Sequence, residues 1–254
     1  MKHFLALRGT GEVVDSTSNV LYRAWLETGL GMGEYHDVNY PASIAVANPA
    51  RDPFGPALSV SIDRGTSVLW SVVAEIRRTD PGAVIVVAGY SLGALILLAA
   101  MDEGIPINRA IALANPARVS RSVGIVDRAG YTGIAAGYQA EPGDLPVFNV
   151  AHPNDGITSL HPKSPLRKLV PWVWALDLDD WEPWVKYVWE YVTGWRWWTP
   201  EALFNRKAWD EALPAMIGYM ARGDHTTRYF EPHWTWKGRQ VTGVQLVARL
   251  VDEA

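Results

Sequence analysis

Five residues near the middle of the chain, Gly89-Tyr90-Ser91-Leu92-Gly93, set a hydroxyl between glycines in a way that suits nucleophilic chemistry. The run Ala83-Val84-Ile85-Val86-Val87-Ala88 leads into them, and an apolar stretch over 94–101 leads out. A β-branched run with no polar alternation reads as a central parallel strand buried on both faces, and the exit as a helix. Such a strand–turn–helix strains the serine and lifts its oxygen off the C-terminal edge of a sheet. The glycines keep side chains out of the crowded bend. Ser91 is therefore the candidate nucleophile. The Leu92 amide, at a helix N-terminus, is a candidate donor to an oxyanion. The five-residue pattern alone recurs by chance; its setting gives it weight.

A serine hydroxyl attacks only when a base removes its proton, and the usual base is a histidine oriented by a carboxylate. With this kind of elbow the acid follows the serine in the chain and the histidine follows the acid. Asp155, in Asn154-Asp155-Gly156, comes just after the apolar run Val147-Phe148-Asn149-Val150-Ala151, so it is expected at a strand end. Asp127 and Asp144 are rivals in loop contexts with no strand before them. Three histidines come after Asp155: His161, His225 and His233. His161 lies too close behind Asp155 to come easily from a separate loop. His225 stands in a segment returning to the sheet ahead of a last helix at 241–251. His233 is the second candidate. A further oxyanion donor is expected after a first strand at 4–7, where Arg8-Gly9-Thr10-Gly11 lets backbone amides approach a substrate. Thr10 is the candidate there, by amide or hydroxyl.

These groups need a scaffold. Helical spacing appears around 20–26, followed by a Gly- and Pro-rich loop region to 57. A longer helix over 58–78 ends at the stop signal Thr79-Asp80-Pro81-Gly82. Buried strands are expected at 109–114 and 147–151. Strands alternating with helices at this spacing predict an α/β fold with a central, mostly parallel sheet flanked by helices.

Residues 160–222 differ in character: nine of the 13 tryptophans lie between Trp172 and Trp209. Trp181, Trp184, Val185, Val188, Trp189 and Val192 form one apolar helical face. A second helix is expected over 200–220, with Thr199 as N-cap and a kink or break at Pro214. The expectation is one domain over 1–254, with 160–222 inserted as a helical cap. The rings have three readings: the core of that cap, the wall of a lipid-accepting groove above Ser91, or contact of Trp195, Trp197 and Trp198 with a membrane or glycan.

Composition narrows the chemistry. With 254 residues, 48% of them hydrophobic, the chain has ample material for a core. It has no cysteine, which excludes disulfides, thiolate metal sites and a thiol nucleophile. A net charge of −4 offers nucleic-acid phosphates no electrostatic attraction, so no nucleic-acid partner is expected. No stretch reaches the roughly 18 apolar residues of a membrane span. Met1-Lys2-His3 runs straight into the first strand without the pattern of a signal peptide, so synthesis in the cytoplasm is expected.

In order and spacing these pieces resemble the lysin B esterases of mycobacteriophages, relatives of the cutinases within the α/β-hydrolase fold. The resemblance spans most of the chain. It is carried by Gly9-Thr10-Gly11, Asn39-Tyr40-Pro41-Ala42, Ala88 to Ala94, Asn115-Pro116, Asp155-Gly156, the helical insertion, and His225 with Arg228-Tyr229. It implies Ser91 as nucleophile, Asp155 as acid and His225 as base, with no cofactor and no metal. The implied substrate is the ester joining mycolic acids to arabinogalactan, cut by a monomeric enzyme that reaches the host envelope after release and touches outer-membrane lipid peripherally. Two residues depart from the family: Arg8 stands where histidine is frequent, and Leu92 where glutamine is frequent. A separate N-terminal peptidoglycan-binding domain, found in some members, is not expected. The alternatives are a cutinase-like lipase or esterase of other substrate, and a catalytically dead fold used as a lipid- or glycan-binding module.

Overall fold

The computed structural model describes residues 1–30, 34–45, 47–52, 54–137, 145–164, 166–167 and 223–254. The tryptophan-rich helices expected within 160–222 fall, from 168 onward, outside these residues, as does Asp144.

Five strands form one wholly parallel sheet: β1 (Lys2–Leu7), β2 (Tyr35–Asp37), β3 (Val84–Tyr90), β4 (Arg109–Leu113) and β5 (Val147–Val150), in the order β2-β1-β3-β4-β5. Period-two alternation sends their side chains to two cores. Leu5, Leu7, Ile85 and Val87 face α2 (Leu58–Thr79) and α3 (Leu92–Asp102). Phe4, Ala6, Val86, Ala88 and Tyr90 face α1 (Val20–Leu26) and the C-terminal α4 (Gly243–Asp252). Both faces are covered, which is why β1 and β3 carry no polar alternation. α3 is buried nearly all round, in keeping with its apolar sequence.

Two elements differ from the sequence expectation. The region read as loop through 57 contains β2, whose Tyr-His-Asp sequence has no apolar run; pairing Phe4 with Tyr35 and Leu5 with His36 makes it a strand. The approach to the last helix is a hairpin, β6 (Pro232–Trp236) and β7 (Arg239–Thr242), so α4 begins two residues later than expected. Thr242 caps α4 through a capping box with Gln245. Among the described residues no helix is long and apolar enough to cross a membrane.

The strand order fixes where a site can form. From β1 the chain goes first to one side, to β2, then crosses to the other side for β3. The crevice outside the carboxyl ends of β1 and β3 lies at this reversal, where open α/β sheets bind ligands. Ser91 and the Arg8–Gly11 loop are the residues that come directly after those two strands.

Candidate active site

Ser91 caps α3 with φ +53° and ψ −111°, a left-handed conformation costing a non-glycine residue about 1–3 kcal/mol. Its surroundings hold it there. The Ser91 amide donates to the Leu113 carbonyl of β4 at 2.9 Å, and its carbonyl accepts from the Ala94 amide at 3.0 Å. A Cβ on Gly89 would stand 2.3 Å from the Gly93 carbonyl oxygen, so the bend closes only on glycine. The Ser91 side chain makes no capping bond to its own helix. Its Oγ lies instead 2.7 Å from His225 Nε2.

His225 reaches the serine from a turn nucleated at Gly223, φ +66°, whose carbonyl accepts from the amides of Thr226 and Thr227. Its Nδ1 lies 2.9 Å from Asp155 Oδ2. An ionised carboxylate only accepts, so Nδ1 carries the hydrogen and, in the neutral ring, Nε2 is left to accept the Ser91 proton. Tyr90 donates its hydroxyl to the His225 carbonyl at 2.8 Å and stacks its ring on the imidazole. Elbow and base loop are thereby tied together.

Asp155 sits in the turn after β5 and is 0% exposed. A buried carboxylate needs donors. The Ile157 amide donates to Oδ1 at 2.9 Å, and Oδ2 receives both His225 Nδ1–H and the Tyr229 hydroxyl, the latter at 2.8 Å. The structure thus brings Ser91, His225 and Asp155 into one hydrogen-bonded line. Tyr90 and Tyr229 stand within motifs read from the sequence, but their contacts with His225 and Asp155 are made only by the tertiary fold.

Two candidate amides come just after the strands that border this crevice. Leu92 is the first residue of α3, so its N–H has no intrahelical acceptor. In the β1 loop, the Gly9 amide donates to Glu12 Oε2 at 2.6 Å, Gly11 to the Ala42 carbonyl at 2.8 Å and Glu12 to the Gly9 carbonyl at 3.2 Å. Among the described residues the Thr10 amide makes no such bond. The loop rests on a buried base. Arg8 donates to Asp37 Oδ1 at 3.0 Å and to the Tyr40 carbonyl at 2.7 Å, and the Tyr40 hydroxyl donates back to the Arg8 carbonyl. Burial raises the carboxyls of Glu12 and Asp37 above their ordinary range, against the pull of backbone amides and of Arg8. Asn39-Tyr40-Pro41-Ala42 is therefore the strip on which the loop is seated, and Arg8 is a strut beneath it.

The other candidates lie elsewhere. His233 packs against His152, ring centroids 4.3 Å apart, on exposed β6. His161 stands edge-on to Tyr131. Asp127 accepts from Arg118 Nη1 at 3.2 Å and from the Ser122 amide at 2.6 Å, pinning its own loop. His152, four per cent exposed, has its pKa lowered from 6.5 to about 4, by burial first and by His233 second. Among the described residues no group of three or more His, Asp or Glu side chains is placed to hold a metal ion.

No protein-family model matches the chain, and no curated protein matches it in sequence. Among solved structures it is similar to lysin B from mycobacteriophage D29, with 17% identity and a TM-score of 0.58 over 98% of each chain. It is also similar to a cutinase-like protein from Cryptococcus sp., with 17% identity and a TM-score of 0.49 over 63% of this chain and 79% of that one. The catalytic core domain of acetyl xylan esterase from Trichoderma reesei gives 17% identity and a TM-score of 0.49 over 68% and 95%. The likeness to lysin B is one of fold. With the parallel sheet and its strand order, it makes this an α/β-hydrolase fold of the cutinase-like type.

Proposed function

We propose that the protein is a serine carboxylic-ester hydrolase that cuts the ester between mycolic acids and arabinogalactan in the mycobacterial envelope. The observation that carries the esterase reading is the line Ser91 Oγ–His225 Nε2, 2.7 Å, and His225 Nδ1–Asp155 Oδ2, 2.9 Å, built on a strained serine at the sheet's switch point. A fold retained only for binding has no need of that strain or of a buried acid. The mycolyl substrate is supported by the sequence resemblance and by the full-length likeness of fold to a lysin B. On this reading the enzyme is made in the host cytoplasm and meets its substrate after release, during phage-driven lysis.

His225 takes the Ser91 proton as Oγ attacks the ester carbonyl carbon. Negative charge builds on the carbonyl oxygen, where the Thr10 and Leu92 amides receive it. Asp155 stabilises the imidazolium without itself taking the proton. The tetrahedral species collapses, the sugar alcohol leaves with the proton from His225 Nε2, and the acyl group stays on Ser91. Water then gives a proton to His225 and attacks the acyl-enzyme. Collapse releases the free fatty acid and returns the proton to Ser91.

The test is release of free mycolic acid from purified mycolyl-arabinogalactan-peptidoglycan. The wild-type protein should release it and Ser91→Ala should not. Turnover of p-nitrophenyl esters without mycolic acid release would overturn the substrate and keep the esterase. Absence of both would overturn the whole reading.

A further inference from the structure

The Asp155 carboxylate is shared by two side chains, and only one of them, His225, belongs to the proton path of ester hydrolysis. The other, Tyr229, is fully buried on the 3₁₀ turn Thr227–Phe230, which begins two residues after the histidine. Its ring stacks on Trp234, centroids 5.5 Å apart. Its hydroxyl has a fixed direction. The His152 amide, 3.2 Å away, can only donate to it, and Asp155 Oδ2, 2.8 Å away, can only accept from it. Burial and the adjacent Asp155 charge hold this phenol well above the ordinary tyrosine pKa, so it keeps its proton.

We propose that Tyr229 is a positioning residue for catalysis: its hydroxyl, donating to the same oxygen that accepts His225 Nδ1–H, sets the orientation and the effective charge of the Asp155 carboxylate. With Oδ1 held by the Ile157 amide and Oδ2 by Tyr229, the carboxylate cannot rotate away when His225 moves between Ser91 and the leaving group. A second donor on Oδ2 also draws charge from it, which limits how strongly the acid holds an imidazolium and so keeps His225 ready to return its proton. The sequence brings base and clamp on one short segment, four residues apart, so the turn that delivers His225 also delivers the group that orders its partner.

This inference rests on the esterase reading, so ester turnover by the wild type and its loss in Ser91→Ala are established first. Without them the esterase reading fails; with them, substitution at 229 tests the role of Tyr229 alone. Tyr229→Phe keeps the ring and removes the hydroxyl. Its kcat on a short p-nitrophenyl ester should fall on the order of tenfold with KM within about twofold, the scale of one lost charge-assisted hydrogen bond. The acid limb of its kcat/KM–pH profile should move to higher pH, because Asp155 then holds the protonated base more strongly. His225, which bonds this carboxylate, and His152, with the His233, Asp224 and Arg228 charges that act on it beside Asp155, are the same in both proteins, so the shift reads the missing hydroxyl. In an Asp155→Asn background the same substitution should cost less than about twofold, since the group it acts through is gone. Equal losses in both backgrounds, or wild-type kcat and profile in Tyr229→Phe, would overturn the proposal. Should Tyr229→Phe not fold, 3-fluorotyrosine placed at 229 keeps ring and hydroxyl while strengthening the donor. The acid limb should then move to lower pH, and an unchanged profile would overturn the proposal.

Discussion

Gly93 stands so close to the end of β1 that a Cβ on it would lie 2.0 Å from the Leu7 carbonyl oxygen. The helix that begins at Ser91 is thus pressed against the strand that leads into the Arg8–Gly11 loop, where the second oxyanion amide is proposed. This contact sets the spacing between Ser91 and the Arg8–Gly11 loop, and it explains why the second glycine of the elbow is as constrained as the first.

Gly93→Ala should therefore force β1 and α3 apart rather than be absorbed by a flexible side chain. We expect a loss of about 3 kcal/mol in denaturant unfolding, the upper range for overpacking, with hydrolysis lost alongside it. A variant of unchanged stability would mean that the two elements can separate freely.

The strut beneath the Arg8–Gly11 loop makes a second prediction. Arg8 and Asp37 are 2% and 1% exposed at their side chains, so removing the acid strands a buried guanidinium. Asp37→Ala should cost about 3–5 kcal/mol in urea unfolding, the range for breaking one side of a buried pair. A loss under about 1 kcal/mol would show that Arg8 is held by its carbonyl partners alone.

His152 predicts a pH dependence of stability. The unfolded chain takes up this proton near pH 6.5 and the folded protein only near 4, so within that window the unfolded state binds more protons. Stability is full above the window and falls as pH drops through it, by about 3 kcal/mol at the low end. His152→Asn, which keeps an acceptor near Nδ1, should lose less stability than wild type between pH 7 and 4. Parallel unfolding curves for the two proteins would contradict this.

Much of the scaffold is legible in the sequence because its signals are local. The uninterrupted Val84-Ile85-Val86-Val87 run marks a doubly buried strand, and the passage from Gly89 to Gly93 marks the bend. That Ser91, Asp155 and His225 meet is legible from the expectation of a hydroxyl at the bend, an acid at a strand end and a histidine on a later loop. β2 is not legible, because Tyr35-His36-Asp37 is a strand only through its partner β1. The local mark of the hairpin in the sequence is Gly238; in the structure it and Lys237 both take positive φ, as a two-residue turn of type I′ requires. The roles of Tyr90, Tyr229 and Arg8, all within segments read from the sequence, are illegible for a different reason. These roles are set by contacts between residues 29 to 135 positions apart, and no local pattern records these.

The proposed chemistry turns on Ser91 acting as nucleophile, activated by His225 and Asp155. A fluorophosphonate probe followed by peptide mapping tests it directly, alongside turnover of a short p-nitrophenyl ester. The wild type should be labelled on Ser91 alone, and Ser91→Ala should take up no label and lose at least about 10⁴-fold in kcat. Label on another residue, or turnover by Ser91→Ala within about tenfold of wild type, would contradict the account.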